Sequence, residues 1–201
     1  MVQKIDRLKE SPSQTAGPYV HIGLTPCFSG ISGVYPSDLG TQIAGANAKG
    51  EQITITGRVL DGTGTPLRDA LLELWQADAA GRYPGQDGVD PAVTGWGRCA
   101  TDMATGTYTF ETIKPGAVAA PDGHLHAPHA HLWIVARGIN LGLSTRIYFE
   151  DEAEANAADP ILSRIEHQVR VPTLMAKATA PGQYSFDIHL QGPDETIFFE
   201  L

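Results

Sequence analysis

The stretch His129-Ala130-His131-Leu132-Trp133-Ile134-Val135-Ala136-Arg137 constrains the fold more than any other part of the sequence. It is mainly apolar, rich in residues that pack well on a pleated surface, and long enough for a central strand. Successive side chains on a strand point to opposite faces, so His129 and His131 share one face. Two imidazoles on a rigid strand suit a metal ion. They also suit ordinary hydrogen-bonded pocket histidines, and the same two readings apply to His124 and His126 just upstream.

The rest of the chain reads as strands around that one. There are 22 Gly and 14 Pro spread through 201 residues, with few long helical patterns. That punctuation predicts many short strands joined by turns. Ile53 to Leu60 alternates cleanly, and Asp61-Gly62-Thr63-Gly64-Thr65-Pro66 has the chemistry of a turn. Ala70 to Ala77 is the returning strand. Trp96 to Met103, Thr107 to Ile113, Thr145 to Phe149, Leu174 to Ala178, Gln183 to Leu190 and Thr196 to Phe199 are further strand candidates. Glu150 to Ala158 predicts a short surface helix. Asp159-Pro160 predicts a second helix start, with Asp159 as cap and Pro160 at the first position. The expected fold is all-β: a β-sandwich with one or two short helices and an irregular N-terminal arm. Residues 1–50 are read as that arm, forming an interface, and residues 51–201 as the sandwich domain.

Partners are narrowed by charge. The formal net charge is -9 and no Lys/Arg cluster stands out, which argues against nucleic acid and anionic membrane. Cys27 and Cys99 are the only cysteines, too few and too far apart for a disulfide framework. Met1 to Glu10 is too polar for a signal peptide, and no apolar run spans a bilayer. A cytoplasmic location is the expectation.

Tyr83 follows the Trp75 strand in a Gly81-Arg82-Tyr83 turn. By itself a tyrosine there is an ordinary amphipathic residue. Beside His129 and His131 its oxygen becomes a hard anionic donor, and that set suits Fe(III) better than Zn(II). Ile55, Gly57, Val59, Gly64, Leu67, Leu72-Glu73-Leu74, Gly81 and Tyr83 together form a spaced pattern that resembles the intradiol ring-cleavage dioxygenases. Thr112-Ile113-Lys114-Pro115-Gly116, Tyr148-Phe149 and Tyr184-Ser185-Phe186-Asp187-Ile188 continue the match, which runs from about Ser11 to Leu201. The resemblance implies the fold expected above and a non-haem ferric centre held by two tyrosines and two histidines. Tyr83, His129 and His131 match three of those ligands. The second tyrosine's position holds Val118. An arginine of the family is replaced by His126, and a glutamine by Arg146, whose fixed charge would repel a cation. These departures predict vestigial ligand positions and no metal in this chain.

The pattern is similar to the α chains of the family's αβ members, in which a homologous β chain carries the Fe(III). The implied reaction is cleavage of a dihydroxybenzoate by O2. The arm, Ser13-Gln14-Thr15-Ala16-Gly17-Pro18-Tyr19, is similar to the α-chain start that reaches the β active site. The resemblance therefore implies substrate-binding roles for Thr15, Gly17, Pro18 and Tyr19. Glycine lets backbone approach a ligand and proline fixes its path; the same composition also suits an arm that only covers a sheet edge. Arg137 ends its strand before Gly138, so its head is free to leave the sheet and attract an anionic benzoate, or to form a plain ion pair. Tyr19, Ile22 and Phe28 are expected to bury against another chain. Two rival functions remain at this point: a self-sufficient intradiol dioxygenase with an unusual fourth ligand, and a non-enzymatic β-sandwich scaffold.

Overall fold

The computed structural model describes residues 15–17, 19–140 and 142–200. The arm residues Ser13, Gln14 and Pro18 lie outside the described residues.

β1 (Gln52–Leu60) alternates as its sequence demands, with Ile53, Ile55, Val59 and Leu60 buried. The turn after it is built by one carboxylate: Asp61 Oδ1 accepts from the Thr63 N–H at 2.8 Å and the Thr65 N–H at 2.9 Å. β2 (Leu71–Gln76) and β3 (Trp96–Ala100) follow, paired antiparallel. β4 (Thr107–Ile113) runs antiparallel along β1. β5 (Val118–Ala119) and β6 (Leu125–His126) form a two-residue ribbon. β7 (His129–Val135) lies between β2 and β8 (Leu143–Phe149), antiparallel to both. β9 (Met175–Ala180), β10 (Gln183–Ser185) and β11 (Ile188–His189) come last. They nevertheless sit inside the sheet: β10 and β11 run parallel to β1, while β9 pairs with both β10 and β8.

Two layers result. One holds β4, β1, β10 and β11; the other holds β3, β2, β7 and β8; β9 joins them. Their inward faces share a core that includes Ile55, Leu72, Leu74, Phe110, Leu132, Ile134, Ile147 and Phe149. The all-β sandwich is thus the observed architecture. The motif glycine at position 57 permits a close backbone approach: a Cβ there would lie 1.8 Å from the Phe186 carbonyl oxygen. Among the described residues no helix is long and apolar enough to cross a membrane.

Several boundaries differ from the sequence reading. The arm is not wholly irregular, because Tyr19–Leu24 forms α1. Residues 40–44 run along the outer edge of β3, where the Gly40 carbonyl accepts from the Arg98 N–H at 2.9 Å and the Ile43 carbonyl from the Thr94 N–H at 2.9 Å. The expected strand Thr196–Phe199 makes only one isolated bridge, Ser144 to Phe199. The strand expected to reach Met103 stops at Ala100, where the Asp102 carboxylate gathers the Ala104 and Thr105 N–H groups into a turn. α2 (Ala153–Ala158) and α3 (Pro160–Arg164) match the helical expectations. Asp159 does cap α3, with Pro160 in its first turn, and a 3-10 turn at Gln168–Leu174 adds a helical piece that the sequence reading missed.

Candidate functional site

On β7 the even-numbered residues Ala130, Leu132 and Ile134 enter the core, so His129, His131 and Trp133 face outward. The register brings neighbours onto the same face. Trp75 pairs with His131, and His131 with Arg146; His129 pairs with Tyr148.

Tyr83 is brought to this face by a tight turn. Asp78 Oδ1 accepts from the Ala80 and Arg82 N–H groups, and Oδ2 from the Asp90 N–H. Gly81 adopts φ +75°, and a Cβ there would lie 1.8 Å from the Ala117 carbonyl oxygen, so only glycine serves. The Tyr83 ring stacks on Trp75, with 5.9 Å between centroids and 6° between planes. Its hydroxyl lies 3.4 Å from His129 Nε2. His129 Nδ1 lies 2.7 Å from the Ala127 carbonyl oxygen, which only accepts, so Nδ1 carries the proton. Nε2 of the neutral ring then accepts from the Tyr83 hydroxyl.

Burial sets the protonation of the group. It lowers the pKa of His129 to about 4, with Arg146 and His126 adding repulsion and the Ala127 hydrogen bond opposing. Burial, then His129, Arg146 and His126, lower that of His131 to about 3. Burial raises the Tyr83 phenol, and the nearby Arg146 charge only partly offsets it.

These residues do not fit a ferric ion. Val118, at the fourth donor position, is buried and offers hydrocarbon; it pairs with His126 across β5 and β6. His126 turns to Asp159, with Nδ1 3.6 Å from Oδ2. Arg146 places a guanidinium against the same face, donating to the Tyr148 hydroxyl at 3.2 Å. A fixed cation and a missing donor oppose the binding of a trivalent cation.

The second group of sequence candidates gathers at the far end of β7. The Thr15 hydroxyl accepts from the Gly138 N–H at 2.8 Å, which ties the arm beside Arg137. Ala16, Gly17, His21, Asp69 and Arg137 line a cavity of about 790 Å³. Arg137 Nε pairs with Asp69 Oδ2 at 2.5 Å, yet 76% of the side chain remains exposed. His21 Nε2 donates to the Asp69 carbonyl at 2.9 Å. Thr15, Gly17 and Arg137 are thus brought together. Tyr19 opens α1 and is 82% exposed, outside this cavity's lining, and Pro18 lies outside the described residues. Sequence reasoning missed Asp69 and His21. Strand register held the clue to Asp69: Leu71 pairs with Val135, and two residues further on Asp69 stands opposite Arg137.

A family profile described as Dioxygenase matches residues 25–192. The chain belongs to the intradiol ring-cleavage dioxygenase family. Members of the family are iron enzymes, although the site in this member departs from a ferric one. The protocatechuate 3,4-dioxygenase alpha chain of Pseudomonas putida is 45% identical over 200 residues, covering 98% of this chain and 99% of that one. The protocatechuate 3,4-dioxygenase beta chain of Burkholderia cepacia is 40% identical over 162 residues, covering 73% of this chain and 67% of its own length. Among solved structures, 3-chlorocatechol 1,2-dioxygenase from Rhodococcus opacus 1CP superposes with a TM-score of 0.56 at 25% identity, covering 75% of this chain and 63% of that one.

Proposed function

We propose that this chain is the α subunit of a protocatechuate 3,4-dioxygenase. In this reading a homologous β chain carries the Fe(III), and the αβ unit cleaves protocatechuate with O2 to 3-carboxy-cis,cis-muconate. Both oxygen atoms enter the product, and the bond between the two hydroxyl-bearing carbons breaks. The ferric chemistry belongs to the partner. The observation that carries the reading is the pair Val118 and Arg146, in an otherwise intact family framework that matches an alpha chain end to end.

This chain's part is to complete the partner's pocket. Asp69 holds Nε of Arg137, which leaves both terminal nitrogens of the guanidinium for the substrate carboxylate. In this reading the arm, with Thr15, Gly17 and Tyr19, faces the substrate ring in the partner's pocket. The arm also supplies contact area: among the described residues Tyr19, Ile22, Phe28, Ile31, Val34, Tyr35 and Leu39 are large, apolar and exposed. Such a concentration on one segment suits a partner surface.

The test is co-expression with the β chain, followed by iron and activity assays. The expected result is an active complex whose ferric iron stays with the β chain. Near-stoichiometric ferric iron on this chain at Tyr83, His129 and His131, with tyrosinate colour, would overturn the reading. Gly17→Val probes the arm. A Cβ at Gly17 meets nothing within 4 Å among the described residues, so the added bulk is aimed at the partner or its substrate. The variant is expected to raise KM or lower kcat with iron content unchanged. Full activity in both Gly17→Val and Tyr19→Ala would make the arm purely structural.

A further inference from the structure

The outward face of β2, β7 and β8 carries a cavity of about 410 Å³ that the proposed function leaves unused. This volume lies within the range of small-molecule sites. Its walls are aromatic, formed by Trp75, Trp96, Trp133 and Phe199. Trp75 and Trp133 are 38% and 39% exposed, so both keep indole surface open although Tyr83 stacks on one face of Trp75.

One cation faces this surface. Arg146 lines the cavity, and among the described residues it has no carboxylate within ion-pair range. Its hydrogen bond goes to a neutral phenol, Tyr148, at 3.2 Å, and its guanidinium carbon lies 6.0 Å from the Phe199 ring centre. Two carboxylates also line the cavity. Glu73 is already neutralised by Arg98 at 2.6 Å, and Glu200 is exposed. In a chain of net charge -9, a partly covered guanidinium with no carboxylate partner among the described residues, beside half-exposed indoles, attracts an anion.

The register sets the shape of that anion. Trp75, His131 and Arg146 form one row across three adjacent strands. Two strand spacings, about 10 Å, separate the Trp75 and Arg146 backbones, and both side chains stand on the outward face. That span takes one six-membered ring with a carboxylate at its end.

We infer that this pocket binds a single-ring aromatic carboxylate, its carboxylate on Arg146 and its ring against Trp75 and Trp133, without turning it over. The site uses neither Arg137 nor the arm, so it stands or falls separately from the proposed function.

The test is isothermal titration of the purified complex with 4-hydroxybenzoate, comparing wild type with Arg146→Gln. Wild type is expected to bind one equivalent more per copy of this chain than Arg146→Gln, and Arg146→Lys to keep that equivalent with about tenfold weaker affinity. Equal stoichiometry in wild type and Arg146→Gln overturns the inference. Competition by inorganic phosphate or cyclohexanecarboxylate as strong as by 4-hydroxybenzoate overturns the aromatic class. Should Arg146→Gln fail to assemble, a crystal structure of the wild-type complex at saturating 4-hydroxybenzoate decides. A ring on Trp75 and Trp133 with its carboxylate on Arg146 supports the site; a cavity without it overturns the site. If no β partner exists, the same titration on the chain as purified reads one equivalent or none, which separates the two failures.

Discussion

Arg137 pairs with Asp69 through Nε and keeps 76% of its side chain exposed, while His21 donates to the Asp69 carbonyl. In the αβ complex, Arg137→Ala is expected to raise KM for the carboxylated substrate about tenfold, the discounted worth of one charged hydrogen bond at an exposed site. An uncharged catechol should be affected much less, and steady-state kinetics with both substrates check this. Asp69→Asn should raise KM by a smaller factor through loss of orientation. The histidines make a second expectation. Burial keeps His129 and His131 neutral, with pKa values of about 4 and about 3 in the folded chain. The unfolded chain takes up the same protons near the ordinary value of about 6.5, so between these limits the unfolded form binds more protons. Stability therefore falls as pH drops from about 6.5 towards about 3, and is fully present above that window. His131→Gln should flatten the fall, read as urea midpoints at about pH 7 and about pH 4.5. Of the site, Tyr83, His129, His131 and Arg146 were legible because strand alternation and motif spacing are local. Asp69 was not, because its pairing depends on which strands lie side by side.

The helices and turns show how short elements depend on single polar groups. The Asp159 carboxylate is fully buried and accepts from the N–H groups of Ile161 and Leu162 at 2.8 and 2.9 Å. It also accepts from the Ala127 N–H at 2.8 Å, so it ties α3 to the short link between β6 and β7. Asp159→Ala removes a cap and leaves buried donors unpaired, and should cost about 3 kcal/mol in equilibrium unfolding. Gly81→Ala should also destabilise, because it combines strain at φ +75° with a backbone clash at Ala117. A shifted Tyr83 would accompany it, visible as a changed near-ultraviolet signal from the Trp75 stack. Asp159 and Pro160 were readable in the sequence since cap and first-turn proline are strong local signals. α1 was not: Tyr19-Val20-His21-Ile22-Gly23-Leu24 has weak helix formers, an internal glycine and no acid in its first turn. β5 and β6, two residues each, are too short to show any period.

At the scale of the whole molecule, the exposed apolar side chains from Tyr19 to Leu39 need a neighbour. Expressed without its partner, the chain is expected to self-associate in light scattering, and a stable monomer would count against the αβ reading. The order of the strands carries one more consequence. β9, β10 and β11 are made last, yet they supply the seam between the layers and the second edge of β1. During synthesis, β1 and β8 therefore wait with open, apolar edges until residue 189 has emerged. A nascent chain in that condition is a template for stray strand pairing. Its safety during translation rests on how quickly its last few dozen residues arrive, and a chain truncated before Met175 should accumulate as aggregates, however sound the first seven-eighths of its sequence.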